Sequence, residues 1–182
     1  ILRERPDVIL YSAYIWNWSQ IQMLGRYIEK AFPHIKQYVG GPEVTYDSAE
    51  RIETEAWIDG ILRGEGERSF DVFLACLERE ADWNEVPGLV YRRDEEIISN
   101  PMEDTGAISE LPAGYEEEAL DHRIVYYESM RGCPYHCSYC LSSEDDHVRY
   151  RRVNEIKEQM RRIFQTGTKL VKFVDRSFHI RP

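Results

Sequence analysis

Three cysteines within eight residues, Cys133, Cys137 and Cys140, are the side chains whose type and spacing point most directly to chemistry. The segment Cys133-Pro-Tyr-His-Cys137-Ser-Tyr-Cys140 puts three thiols on one short loop. Soft thiolate sulfur selects zinc, copper(I) or iron–sulfur clusters. A structural zinc site wants four closed ligands, so the zinc reading needs His136 or His147 as the fourth. Four-iron clusters are usually held by four cysteines, and a cluster held by three would keep one iron open for a substrate or cosubstrate. The fourth cysteine, Cys76, stands far off in Leu-Ala-Cys-Leu and reads as a small buried hydrophobe. A disulfide framework does not suit the chain, because such scaffolds belong to short secreted sequences.

The loop needs rigid elements on either side. Ile124 to Glu128 is a strand candidate that leads within a few residues to Arg131-Gly132-Cys133, so the cysteines follow the carboxyl end of a strand. Downstream, Asn154 can cap a helix with Ile156, Met160, Ile163 and Phe164 on one face, a Glu158–Arg162 pair at helical spacing and Gly167 as its stop. Leu170 to Val174 is then a strand ending at Asp175. This is one βαβ unit.

The first half repeats the same alternation. Asp7–Tyr11, Ile35–Val39 and Ile58–Leu62 read as buried strands. Behind them come helices bearing Ile21, Leu24, Ile28 and Phe32 after a Ser19/Gln22 capping box, then Ala49, Ile52 and Ala56, then Phe70, Phe73, Leu74 and Leu77. Strand–helix alternation predicts parallel pairing through right-handed crossovers, a doubly wound α/β sheet. Ile1 to Pro6 reads as the tail of a helix, so the sheet is expected to be incomplete at its amino-terminal side. Leu89–Arg92 and Glu96–Ser99 resemble a hairpin, and Pro101, Pro112 and Gly114 with the acidic run Glu116–Glu118 read as a solvated linker. The expected organisation is an α/β domain over 1–83, a hairpin and linker over 84–122, and a second α/β domain beginning at 123 and truncated at 182.

Composition narrows the partners. With 33 Asp+Glu against 23 Lys+Arg the net charge is −10 and no long basic block is present, which argues against nonspecific nucleic-acid binding. No apolar run reaches the length of a membrane span and no signal-peptide pattern opens the chain, so a soluble cytoplasmic protein is expected.

CxxxCxxC with an aromatic residue, Tyr139, before the last cysteine, at the end of a strand opening a βα array, resembles the radical S-adenosylmethionine superfamily. The resemblance implies that Cys133, Cys137 and Cys140 hold a [4Fe-4S] cluster. Its fourth iron is chelated by the methionine moiety of S-adenosylmethionine, which one electron cleaves to a 5′-deoxyadenosyl radical that abstracts hydrogen from the substrate. Cysteine thiolates must be available near neutral pH, and Arg131, Arg149, Arg151 and Arg152 are the sequence's candidates for lowering their pKa values. Gly132 and Pro134 favour a tight loop whose amides could donate to cluster sulfur. By family analogy Asp175, at the end of the second strand, is the candidate for the S-adenosylmethionine amino group, although Val174-Asp175-Arg176 replaces the family's Gly-Gly-Glu. The competing reading of Asp175 is a helix or turn cap.

An α/β domain ahead of that loop resembles the cobalamin-binding class of radical enzymes, its uncharacterised bacterial members in particular. There, Val39-Gly40-Gly41-Pro42-Glu43 and Arg63-Gly64-Glu65-Gly66-Glu67 match two strand-end loops that surround the corrin and its nucleotide tail, with Ser12 and Tyr14 on the same edge. Plain turn chemistry is the competing account of those glycines. The resemblance implies a parent enzyme that uses a [4Fe-4S] cluster, S-adenosylmethionine and cobalamin for methyl transfer or oxidative rearrangement, fed by a flavodoxin or ferredoxin. Its catalytic domain would be a partial TIM barrel of which this chain holds the first βαβ unit. A methylthiotransferase would need three further cysteines in the first domain, where only Cys76 stands. The rival from another class is a non-enzymatic, zinc-stabilised module that binds a nucleotide or corrinoid.

Overall fold

The computed structural model describes residues 3–78, 82–103, 106–110, 124–144 and 147–178, in two compact units, Ile1–Asp104 and Thr105–Pro182. The acidic run Glu116–Glu118 lies outside the described residues.

In the first unit three short apolar runs form parallel strands: β1 (Val8–Ser12), β2 (Lys36–Gly40) and β3 (Gly60–Leu62). Between and after them come α1 (Trp18–Ala31), α2 (Ser48–Thr54) and α3 (Glu67–Leu77). The hairpin β4 (Leu89–Arg93) and β5 (Glu96–Ser99) follows, and β4 pairs antiparallel with β3, so the sheet order is β1-β2-β3-β4-β5. The expected hairpin thus forms, and it supplies the outer strands of the sheet. The reason is burial: Leu89, Val90 and Tyr91 are buried, which a hairpin standing alone could not achieve.

Alternation across the strands covers both faces of the sheet, as the doubly wound pattern requires. Val39, Ile61 and Val90 point to one side, where they pack with Ile21 of α1 and Ile52 of α2. Tyr38, Leu62, Leu89 and Tyr91 point to the other, against Phe73 and Cys76 of α3. Each fully buried large apolar side chain of this kind contributes about 1.5–3 kcal/mol.

Helix α1 departs from its sequence reading. Leu24 is half exposed, and the buried face is Ile21, Gly25 and Ile28. The position before the helix is Asn17, and Ser19 lies inside the helix and bonds Gln20 rather than capping. Gln22 instead donates to Glu55, as do Arg26 through both Nε and Nη2 and the Trp57 indole. Burial pushes the Glu55 carboxyl up most strongly as a single influence, but the combined donors of Arg26, Trp57 and Gln22 hold it below the usual carboxylate range. Gly25 is needed because the helix lies directly on the buried Trp57 ring: a Cβ there would fall 2.3 Å from Trp57 Cε3. Gly25→Ala should therefore destabilise this unit by about 1–3 kcal/mol through overpacking, although alanine is otherwise the better helix former by ~1 kcal/mol. Urea unfolding followed by tryptophan fluorescence measures it, and a variant at least as stable as the parent would show that Trp57 yields freely.

The second unit contains the expected βαβ. Strand β6 (Val125–Tyr127) pairs parallel with β9 (Val171–Phe173), and the helix α4 (Val153–Gln165) between them packs Ile163, Ile156 and Met160 against Val125, Tyr127 and Val171. Asn154 falls inside the first turn of α4, not at its cap, which is Arg152. Gly167, with φ +85°, ends the helix in the left-handed conformation expected of it. Two further short strands, β7 (Met130–Arg131) and β8 (Arg149–Tyr150), pair antiparallel. Among the described residues no helix is long and apolar enough to cross a membrane.

Candidate functional site

In the first unit, register places the candidate residues on one edge. Ser12 pairs with Gly40 and Gly40 with Leu62, so the loops after β1, β2 and β3 all leave the same end of the sheet. The loop after β1 is fixed by Asn17, whose Oδ1 accepts from the Tyr14 amide at 2.8 Å and whose Nδ2 donates to the Ser12 carbonyl at 2.9 Å. Tyr14 stacks on Trp16, with ring centroids 4.6 Å apart, and Ile15 and Trp16 are exposed. The loop after β2 is tied to this one by Arg51. Its guanidinium lies over the Trp18 ring at 4.7 Å, bonds Asp47 at 2.6 Å and reaches Glu43 at 3.2 Å.

The glycines of these loops serve different ends. Gly41 has φ +107° and ψ 169°, and a Cβ on it would meet the Ala13 carbonyl oxygen at 2.5 Å, so there the close neighbour is the protein's own backbone. Gly40 carries no such restriction. Gly64 and Gly66 both have positive φ, and Gly66 opens α3, where its carbonyl accepts from the Phe70 amide at 2.7 Å. A Cβ on Gly66 would meet nothing within 4 Å. Arg63 is structural: it donates to the carbonyls of Gly88 and Asn100, tying the end of β3 to the hairpin. Glu65 is partly buried between the two glycines.

In the second unit the cysteine loop is an excursion between β7 and β8. The ladder Met130–Tyr150 and Arg131–Arg149 closes its base, and the Arg151 amide donates to the Ser129 carbonyl. Gly132, with φ +88°, lets the two stems approach so closely that a Cβ would fall 2.5 Å from the His147 carbonyl oxygen. Cys133, Cys137 and Cys140 form no disulfide, Cys133 is buried and the other two are half-buried, and the Cys140 amide donates to the Cys137 carbonyl. Tyr139 is 90% exposed, its ring available to a ligand rather than used in packing. Among the described residues no three His, Cys, Asp or Glu side chains are gathered into metal-binding geometry. What fits an iron–sulfur cluster here is the donor chemistry, three soft thiols on one loop with braced stems.

The end of β9 reaches the start of this loop. Asp175 Oδ1 accepts from the Ser129 amide at 2.7 Å and the Met130 amide at 3.1 Å, while its Oδ2 accepts from the Ser129 hydroxyl. The carboxylate therefore acts as a cap on the turn after β6. Two residues on, the Ser177 hydroxyl lies 3.4 Å from Cys133 Sγ. That hydroxyl, followed by the Tyr135 amide and the Arg176 charge, lowers the Cys133 thiol from its ordinary pKa, against the opposing effect of burial. Of the arginines nominated from sequence, Arg131 pairs with Glu128, Arg152 with Glu155, and Arg151 and Arg149 donate to the Glu128 and Gly106 carbonyls. Among the described residues, Arg176 is a cation whose charge lowers the pKa of the first cysteine. Sequence alone carried a signal for Asn17, an Asx-type turn residue after a strand, but none for Arg51 or Ser177.

Residues 1–74 match the B12 binding domain family. The cobalamin-dependent radical SAM methyltransferase TokK of Streptomyces tokunonensis is 28% identical over 148 residues, covering 74% of this chain and 22% of TokK. The chain is thus similar, over these spans, to B12-binding-domain radical S-adenosylmethionine proteins. The hopanoid C-3 methylase of Methylococcus capsulatus is 30% identical over 182 residues, covering 92% of this chain and 34% of the methylase. The chain thus spans about a fifth to a third of the length of these two relatives. The structure of the cobalamin-dependent radical enzyme OxsB with aqua-cobalamin and S-adenosylmethionine bound aligns with a TM-score of 0.71 at 20% identity, over 97% of this chain and 26% of OxsB. At that identity the likeness is one of fold: the five-stranded sheet of the first unit and the βαβ of the second each resemble the architecture of OxsB.

Proposed function

We propose that this chain is the cofactor-handling part of a cobalamin-dependent radical S-adenosylmethionine methyltransferase. Cys133, Cys137 and Cys140 would hold a [4Fe-4S] cluster, with Tyr139 against S-adenosylmethionine. The strand-end loops carrying Ser12, Tyr14, Gly40, Gly41, Gly64, Glu65 and Gly66 would hold cobalamin. Bound there, the cluster supplies a single electron to S-adenosylmethionine and cobalamin supplies a methyl group to an unactivated carbon. The chain's own contribution is positional. The β7–β8 ladder and Gly132 brace the cysteine loop, Asp175 fixes the turn that leads into it, and Asn17 and Arg51 fix the two loops that would hold the corrin. A flavodoxin- or ferredoxin-like protein would supply the electron, in the reducing cytoplasm where free thiols persist. The observation that carries the proposal is the braced loop of three cysteines outside any disulfide, in a chain whose first 74 residues match the B12 binding domain family.

Anaerobic reconstitution with iron and sulfide tests it. About four irons per chain should bind, the cluster spectrum should change when S-adenosylmethionine is added, and added aqua-cobalamin should stay with the protein through gel filtration. One tightly held zinc ion without a cluster would overturn the proposal in favour of a zinc-stabilised module.

A further inference from the structure

Cys133 differs from its two partners. It is 9% exposed while Cys137 and Cys140 are half-buried, and its sulfur meets the hydroxyl of Ser177, a residue 44 positions away, at 3.4 Å. The approach is held from both sides. On the Ser177 side, the Val174 amide donates to the Tyr127 carbonyl at 2.9 Å, and the Asp175 carboxylate binds the Ser129 and Met130 amides. On the Cys133 side, those same residues lead directly into β7 and the cysteine. A cluster-bound cysteine is a thiolate, which only accepts hydrogen bonds, so the hydroxyl must donate. Hydrogen bonds to cluster sulfur withdraw electron density from it and favour the reduced state.

We infer that Ser177 is a positioning residue whose hydroxyl donates to the Cys133 sulfur and raises the reduction potential of the cluster. The inference rests on the cluster reading above and adds a residue to it. In the protein as purified and reconstituted anaerobically, Ser177→Ala should bind iron as the parent does and keep its unfolding midpoint. At a fixed solution potential its ratio of reduced to oxidised cluster, read by electron paramagnetic resonance, should be about tenfold lower, equivalent to ~59 mV for a one-electron couple. Ser177→Thr and Ser177→Val have nearly the same shape and differ in the hydroxyl, so Thr should retain the parent potential and Val should behave like Ala. This pair decides the matter even where Ala disturbs the loop. A parent-like potential in both Ala and Val, or a shift shared by Thr and Val, would overturn the role of the hydroxyl and leave the cluster reading standing. A parent protein that binds no cluster at all would overturn the proposed function, and this inference with it.

Discussion

Cys137→Ala should reduce iron uptake on reconstitution from about four atoms per chain to near none, and the visible absorbance of the cluster should vanish with it. Three thiols on one loop are the whole donor set, and removing one leaves two sulfurs on a loop that offers no other soft ligand. Cys76→Ala is the matched control. Cys76 is buried with Phe73, Val86 and Leu89 on the α3 side of the sheet, and burial, with the nearby Glu85 and Asp82 charges, raises its pKa and keeps it a protonated thiol. Losing its sulfur leaves a small cavity that costs stability but takes no ligand away. Equal loss of iron from both variants, measured by iron and sulfide analysis, would contradict the assignment of the cysteine loop as the site.

Gly41→Ala should destabilise the first unit by more than 3 kcal/mol, whereas Gly66→Ala should cost about 1 kcal/mol. Both glycines have positive φ, so both substitutions strain the backbone. At Gly41 two further demands are added. Its φ and ψ fall in a region open almost to glycine alone. Its missing Cβ also leaves room for the Ala13 carbonyl, which accepts from the Glu43 amide across the gap at 3.3 Å. The neighbour is backbone, which cannot rotate away as a side-chain tip could. At Gly66 a Cβ enters open space. Chemical denaturation of the two variants separates the terms, and similar losses would show that the close approach at Ala13 relaxes without cost. Because the Ala13–Gly41 contact joins the loops after β1 and β2, cobalamin retention should fall with stability in the Gly41 variant.

Much of the architecture was legible in the chain because it is written locally. The strand runs around Val8, Tyr38 and Ile61 show apolar character over a few residues, and helical spacing placed Phe73 and Ile163 on buried faces. Where local pattern misled, a distant group had intervened. Leu24 suits the helical apolar stripe, but the helix packs its Gly25 face on the Trp57 ring and Leu24 is half exposed. Ser19 and Gln22 spell a capping box, yet Gln22 is drawn 33 residues along the chain to Glu55. The hairpin at 89–99 is legible as a hairpin, but only its pairing with β3 makes it part of the sheet.

The site divides along the same line. Cysteine identity and spacing are covalent facts, so the sequence alone determined which three sulfurs share a loop and what metals they suit. Gly132, Gly41 and Gly66 were likewise visible as turn residues. Which groups act on those sulfurs was settled only by the fold. Ser177 and Arg176 reach Cys133, and Asp175 reaches Ser129, through the parallel pairing of β6 with β9, whereas the arginines nearer in sequence pair with Glu128, Glu155 or backbone carbonyls. Hydrogen bonds and charge act over a few ångströms of space, and 44 residues of chain carry no record of that distance until β6, α4 and β9 have packed.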